Sequence, residues 1–122
     1  MPIWIAVFVS TAALLNASHA ATHRLPLREG SEVRVVATAY CLKGRTEAGT
    51  RTEEGTIAAD PRVLPSGSIV RIVDGPRRGT YTVLDTGEAI TGFKIDIFIK
   101  DCGRAKRFGK RAMHIRVMRS GT

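Results

Sequence analysis

The chain has 122 residues, a formal net charge of +8 and 43% hydrophobic residues, which leaves room for one compact domain and a targeting segment but excludes two independent cores. Two cysteines are too few to build a cysteine metal site. All 19 Lys and Arg and all 11 Asp and Glu follow residue 20, so the domain itself carries the charge and is expected to meet an anionic partner, a plain solubilising surface being the alternative.

Residues 1–20 read MPIWIAVFVSTAALLNASHA, with no ionisable side chain before His19 and an apolar run from Pro2 to about Ala17. Ser18 and Ala20 supply small side chains three residues and one residue before a cut after Ala20, so a signal peptide is expected, although the positive leader is missing. A retained membrane anchor is the alternative, but the run falls short of the roughly 20 apolar residues a bilayer core needs. Export removes nucleic acid from reach and leaves peptidoglycan carboxylates and acidic surface polymers as candidate polyanions. Cys41 and Cys102 would then enter an oxidising compartment, where a disulfide is expected and two free thiols are the alternative. In the chain-entropy picture that bridge contributes roughly 4 kcal/mol.

Residues 21–32 lack a sustained period and contain Pro and Gly, which reads as a linker. The domain is expected over 33–119. Val33 to Tyr40 alternates, with Val33, Val35, Ala37 and Ala39 on one face and Arg34, Thr38 and Tyr40 on the other. The segment CLKGRTEAGTRTEEG that follows has no apolar period and reads as a long exposed loop of the kind that tends to be functional. Short strands are predicted at Thr56 to Ala59, Ser68 to Val73, Gly79 to Asp85 and Lys94 to Ile99, punctuated by Asp60-Pro61 and Gly75-Pro76. One helix of about two turns is predicted in DCGRAKRFG, with Asp101 as N-cap, Cys102, Ala105 and Phe108 on one face, and Gly109 at the C-terminal left-handed position. Ala112 to Met118 is the last strand, with Met113, Ile115 and Val117 facing in. Six short strands and little helix exclude a doubly wound α/β sheet, and an open sheet would leave edges exposed, so an all-β closed barrel is favoured.

Three aspartates stand in or at the ends of apolar strands: Asp60 in TIAADPRVLPSG, Asp85 in YTVLDTGEAITG and Asp96 in KIDIFI. Burial of Ile95, Ile97 and Ile99 sends Asp96 to the opposite face beside Lys94 and Phe98. Desolvation there raises its pKa, as proton donation requires. Asp85 precedes Thr86-Gly87, where its carboxylate can accept turn N–H groups or approach a second acid. Each aspartate taken alone reads as a turn former or surface charge rather than as a catalytic group. His23 and His114 have no third ligand at metal spacing, and no metal or cofactor is expected. Arg104, Lys106, Arg107, Lys110 and Arg111 form a basic stretch that either engages wall carboxylates or is a solvated helix face.

From Ala37 to Val117 the order and spacing of ATAYC, the Gly-rich loop, GTIAADPRVLPSGS, DTGEAITG, KIDIFI and AKRFGKRAMHIRV resemble the 3D domain, a bacterial cell-wall family named for its three aspartates. Asp85 and Asp96 are eleven positions apart, a separation shared with the membrane-bound lytic transglycosylase A family. The resemblance implies a six-stranded double-psi β-barrel with one short helix. It also implies a lytic transglycosylase that cleaves the β-1,4 bond between N-acetylmuramic acid and N-acetylglucosamine in peptidoglycan glycan strands and closes a 1,6-anhydro ring. Since the sugar's own hydroxyl attacks, one acid can serve both steps. Asp96 would be the general acid and base, Asp85 would stabilise positive charge at the anomeric carbon, Asp60 would order the groove, and Tyr40 and Thr86 would touch substrate. Glu88 departs from the usual DTGGAI and would obstruct the groove or add an acid there; Ser66, where an apolar residue is typical, is a milder departure. Two rivals remain open: a non-catalytic peptidoglycan-binding barrel of the expansin-like kind, and a glycan hydrolase in which Asp85 or Glu88 activates water. A monomer without stable membrane insertion after cleavage is expected.

Overall fold

The computed structural model describes residues 23–42, 49, 52–87 and 89–121. The signal-peptide reading of residues 1–20 and the roles considered for Glu88 lie outside the described residues. Among the described residues six strands and one helix run in the order β1 (Glu32–Tyr40), β2 (Thr56–Ala59), β3 (Ile69–Ile72), β4 (Gly79–Asp85), β5 (Lys94–Phe98), α1 (Cys102–Phe108) and β6 (Arg111–Arg119). They close into a barrel in the order β1-β5-β2-β4-β3-β6. The β1–β5 and β2–β4 pairs are parallel and the other four antiparallel. This is the mixed six-stranded barrel with one short helix expected above, and closure leaves no strand edge to be covered.

Alternation along the strands fills the barrel. Val33, Val35, Ala37, Ile57, Ala59, Val70, Ile72, Val83, Ile95, Ile97, Met113, Ile115 and Val117 form one buried cluster. Register sets facing pairs such as Ile57 with Ile97, Ala59 with Ile95, and Val70 with Val117. A period of two therefore sends Thr38, Asp96 and Ala58 to the outer surface of their strands.

Two features differ from the alternation-based reading. Phe98 shares the outer face with Asp96 yet is only 1% exposed; its ring packs against Tyr40 at a centroid distance of 5.5 Å. The segment taken as a linker joins the fold from Leu27, which is buried in the core cluster. Leu27 N donates to Val63 O at 2.9 Å, and Gly30 N to Val117 O at 2.8 Å. Leu25 and Leu27 alone in a polar stretch set no sustained period, and of the two only Leu27 is buried, against barrel surface supplied from elsewhere in the chain.

Helix α1 is held at both ends. Asp101 Oδ1 accepts from Arg104 N at 2.9 Å as N-cap, and Gly109 at φ 69° ends the helix in a conformation that favours glycine. Ala105 and Phe108 are buried. Cys102 is disulfide-bonded to Cys41 at the end of β1, with Cα atoms 5.1 Å apart. The bridge fixes the helix against the strand that carries Thr38 and Tyr40.

Candidate functional site

Thr38 and Asp96 are direct partners across β1 and β5. Thr38 Oγ1 donates to Asp96 Oδ1 at 2.9 Å. Asp96 also faces Ala58 across the antiparallel β2. On the far side of β2 the parallel register shifts between Ile57 and Ala58: Ile57 pairs with Val83, but Ala58 pairs with Asp85. Leu84 would otherwise have stood beside Ala58. This irregularity re-aims the strand end, in the way bulges do near functional sites, and brings Asp85 onto the face that holds Asp96. The two carboxylate-bearing residues thus lie two strand spacings apart, about 9–10 Å along the sheet, with a methyl group between them.

Burial raises the Asp96 carboxyl above its ordinary range; the Thr38 hydrogen bond and the Lys94 charge oppose this, and Asp85 adds to it. Lys94 is tethered by its Nζ, which donates to Ala89 O at 3.2 Å. Asp85 Oδ1 accepts from Thr86 N at 2.9 Å, so Thr86 contributes its backbone to the site.

Tyr40 completes this face. Its hydroxyl oxygen is buried and has no hydrogen-bond partner among the described residues. Desolvation raises the phenol pKa, and the nearby carboxylates of Asp85 and Asp96 raise it further. A buried donor without a partner is costly in a folded protein, and this one lies beside two carboxylates.

Asp60 stands apart. Its side chain is 4% exposed and its carboxylate is saturated: Oδ1 accepts from Arg62 N at 3.0 Å and Arg62 Nε at 3.1 Å, while Oδ2 accepts from Arg62 Nη2 at 2.8 Å and Gly92 N at 2.8 Å. These bonds, the Arg62 side-chain bond first, hold the carboxyl well below its usual range. Gly92, at φ 70°, presents its amide from the β4–β5 connection. Asp60 therefore ties that connection to the turn after β2, and no lone-pair direction is left for a ligand.

Among the described residues no group of three His, Cys, Asp or Glu side chains is placed to hold a metal ion. Thr38 is the site residue that sequence reasoning missed as a contributor. Alternation had put it on the outer face, but its pairing with a residue 58 positions away could not be read locally.

Residues 55–119, which carry Asp60, Ala58, Asp85 and Asp96, match the family model of the 3D domain. The chain belongs to the 3D domain family. Two relatives of this 3D domain come from Bacillus subtilis (strain 168). The "Cell wall-binding protein YocH" is 36% identical over 96 residues, covering 71% of this chain and 32% of the relative. The "Putative cell wall shaping protein YabE" is 35% identical over 98 residues, covering 73% of this chain and 23% of the relative. The chain thus spans no more than 32% of the length of either. Among solved structures, "E. coli lytic transglycosylase MltA-D308A in apo-2 form" superposes with a TM-score of 0.53 at 14% identity, covering 66% of this chain and 29% of that one.

These findings overturn the expectation that the 3D domain here is a lytic transglycosylase, a lyase with Asp96 as general acid and base and Asp85 as charge stabiliser. Both sequence relatives are named for binding or shaping the wall and neither for an enzyme activity. The likeness to a transglycosylase, at 14% identity, is one of backbone, and a shared barrel does not carry its chemistry with it. The glycan hydrolase alternative falls on the same ground. Each carboxylate accepts a hydrogen bond from a neighbour, Asp96 from the Thr38 hydroxyl and Asp85 from the Thr86 amide.

Proposed function

We propose that this 3D domain is a non-catalytic module that binds peptidoglycan outside the cytoplasm, through the outer face carrying Thr38, Tyr40, Asp85 and Asp96. The observation that carries this reading is the Tyr40 hydroxyl, buried without a partner among the described residues beside two carboxylates. A glycan hydroxyl is both donor and acceptor, so a sugar edge can accept from Tyr40 while donating to Asp85 or Asp96. The spacing of the carboxylates across Ala58 suits hydroxyls on opposite sides of one ring or on neighbouring rings. The basic surface adds attraction to a wall polymer bearing free carboxylates. The relatives' names support the choice of the wall as partner and an extracytoplasmic location. In this reading residues 1–20 are the export signal and Asp60 holds the loop that borders the face.

Co-sedimentation with purified insoluble peptidoglycan tests it. The protein should pellet with the polymer and release no soluble muropeptides, and Asp85→Asn with Asp96→Asn should lower the bound fraction at least tenfold. Failure of the unaltered protein to pellet, or release of 1,6-anhydromuropeptides, would overturn the reading.

A further inference from the structure

A second feature is built from residues that the proposed glycan face does not use. Between the β3–β4 turn and α1 lies a cleft of about 200 Å³ lined by Arg77, Arg104, Arg107 and Arg111 around Ile99 and Phe108. Ile99 and Phe108 are 1% and 7% exposed, so the floor is apolar and the walls are cationic.

The Arg111 guanidinium is fixed in place, while Arg104 and Arg107 feel the Asp101 carboxylate at longer range. The Arg104 backbone N–H first, and these two charges after it, hold that carboxyl below its ordinary value. Arg111 Nε donates to Phe108 O at 2.9 Å, and its guanidinium lies 5.1 Å from the Phe108 ring centroid, a stacking that suits Arg better than Lys. Arg107 packs over Gly103, where an added Cβ would come within 3.3 Å of Nη1. The Arg77 turn is anchored by Tyr81, whose hydroxyl donates to Arg77 O at 2.8 Å. None of the four belongs to an ion pair among the described residues. The two acids of the adjoining cleft, Asp101 and Glu54, accept backbone N–H groups from Arg104 at 2.9 Å and Lys100 at 3.2 Å.

We infer that this cleft binds the free terminal carboxylate of a short peptide whose last side chain is small and apolar. Arginine forks match carboxylates in bidentate geometry. Four guanidiniums lining one small cleft, only partly offset by Asp101, repel one another, and an oxyanion relieves that repulsion. The floor selects between oxyanions: Ile99 and Phe108 offer contact to an alkyl group next to the charge, which inorganic phosphate lacks. The proposed wall ligand contains peptide ends of this kind, but the cleft is testable without any glycan.

The test is an NMR titration of the full domain, following the backbone amides of Gly103 to Gly109 at constant ionic strength, with acetyl-Ala-Ala as the free acid, acetyl-Ala-Ala amide and sodium phosphate as probes. The free acid should shift these amides saturably. The amide should not, and phosphate should require at least tenfold higher concentration. Arg104→Gln with Arg107→Gln should weaken the free acid at least tenfold with the remaining spectrum unchanged, whereas Arg34→Gln with Arg119→Gln, an equal loss of charge elsewhere, should leave it within twofold. Equal binding of the amide or of phosphate, equal loss in the two double variants, or no shift with the free acid would each overturn the inference. Because the probes contain no sugar, failure of the glycan reading leaves this outcome unaffected.

Discussion

Asp85 and Asp96 flank the same alanine: Ala58 is the register partner of Asp96 on β5 and of Asp85 on β4. The first pairing follows from antiparallel alternation and the second from a register shift that bypasses Leu84. Without the shift, Asp85 would not share the face of Thr38 and Asp96. The site is therefore a product of barrel closure as much as of side-chain chemistry.

Burial raises the Asp96 carboxyl above its ordinary value, which near 3.9 also describes the unfolded chain. A raised folded pKa contributes stability that is fully present below the unfolded pKa and lost as pH rises through the folded value. Asp96→Asn, whose amide oxygen can still accept from Thr38, should therefore gain on the unaltered protein between pH 3 and pH 7. Urea midpoints of the two proteins at both pH values measure this, and a constant or reversed difference would contradict the account of a desolvated carboxylate.

Asp60 has the opposite sign. Its bonds to Arg62 and Gly92 depress its pKa, so its contribution is present above the unfolded value and lost as pH falls through the folded one. Asp60→Ala should cost about 2–3 kcal/mol at pH 7, the scale of hydrogen bonds to a charged group plus orphaned donors, with the deficit shrinking in strong acid. Denaturation curves from pH 2 to pH 7 provide the measurement; a deficit that grows on acidification would refute the assignment of Asp60 as a loop tie.

The Cys41–Cys102 bridge spans 61 positions, and closing a loop of that length lowers unfolded-state entropy by the equivalent of about 4 kcal/mol. Reduction, or Cys41→Ser with Cys102→Ser, should lower unfolding free energy by about that amount. Guanidinium unfolding with and without reductant checks it, and the loss should be accompanied by weaker wall binding, since the bridge fixes α1 against the strand that bears Thr38 and Tyr40.

Much of the barrel is legible in the sequence because most strands write their inward face as Val, Ile, Ala or Met at every second position, β4 supplying Tyr81 and Val83 instead. The same alternation places Asp96 outward between Ile95 and Ile97. What is not legible is long-range. Thr38 meets Asp96 only through the parallel β1–β5 pairing, Asp85 joins them only through the shift opposite Ala58, and the segment carrying Leu27 is held only because Val63 O and Val117 O accept from Leu27 N and Gly30 N. The saturation of Asp60 depends on Gly92, which lies 32 positions away. Function is not legible for a related reason: one barrel can serve proteins that cut the wall and proteins that hold it, and local sequence does not separate the two.

The most direct test is Tyr40→Phe measured in two assays. Removing a buried hydroxyl that has no partner among the described residues should raise thermal stability, by about 1 kcal/mol at the low end of the cost of such groups, while lowering peptidoglycan binding at least fivefold in co-sedimentation. A variant that loses stability, or that binds the polymer as well as the unaltered protein, would contradict the claim that this phenol is reserved for a ligand.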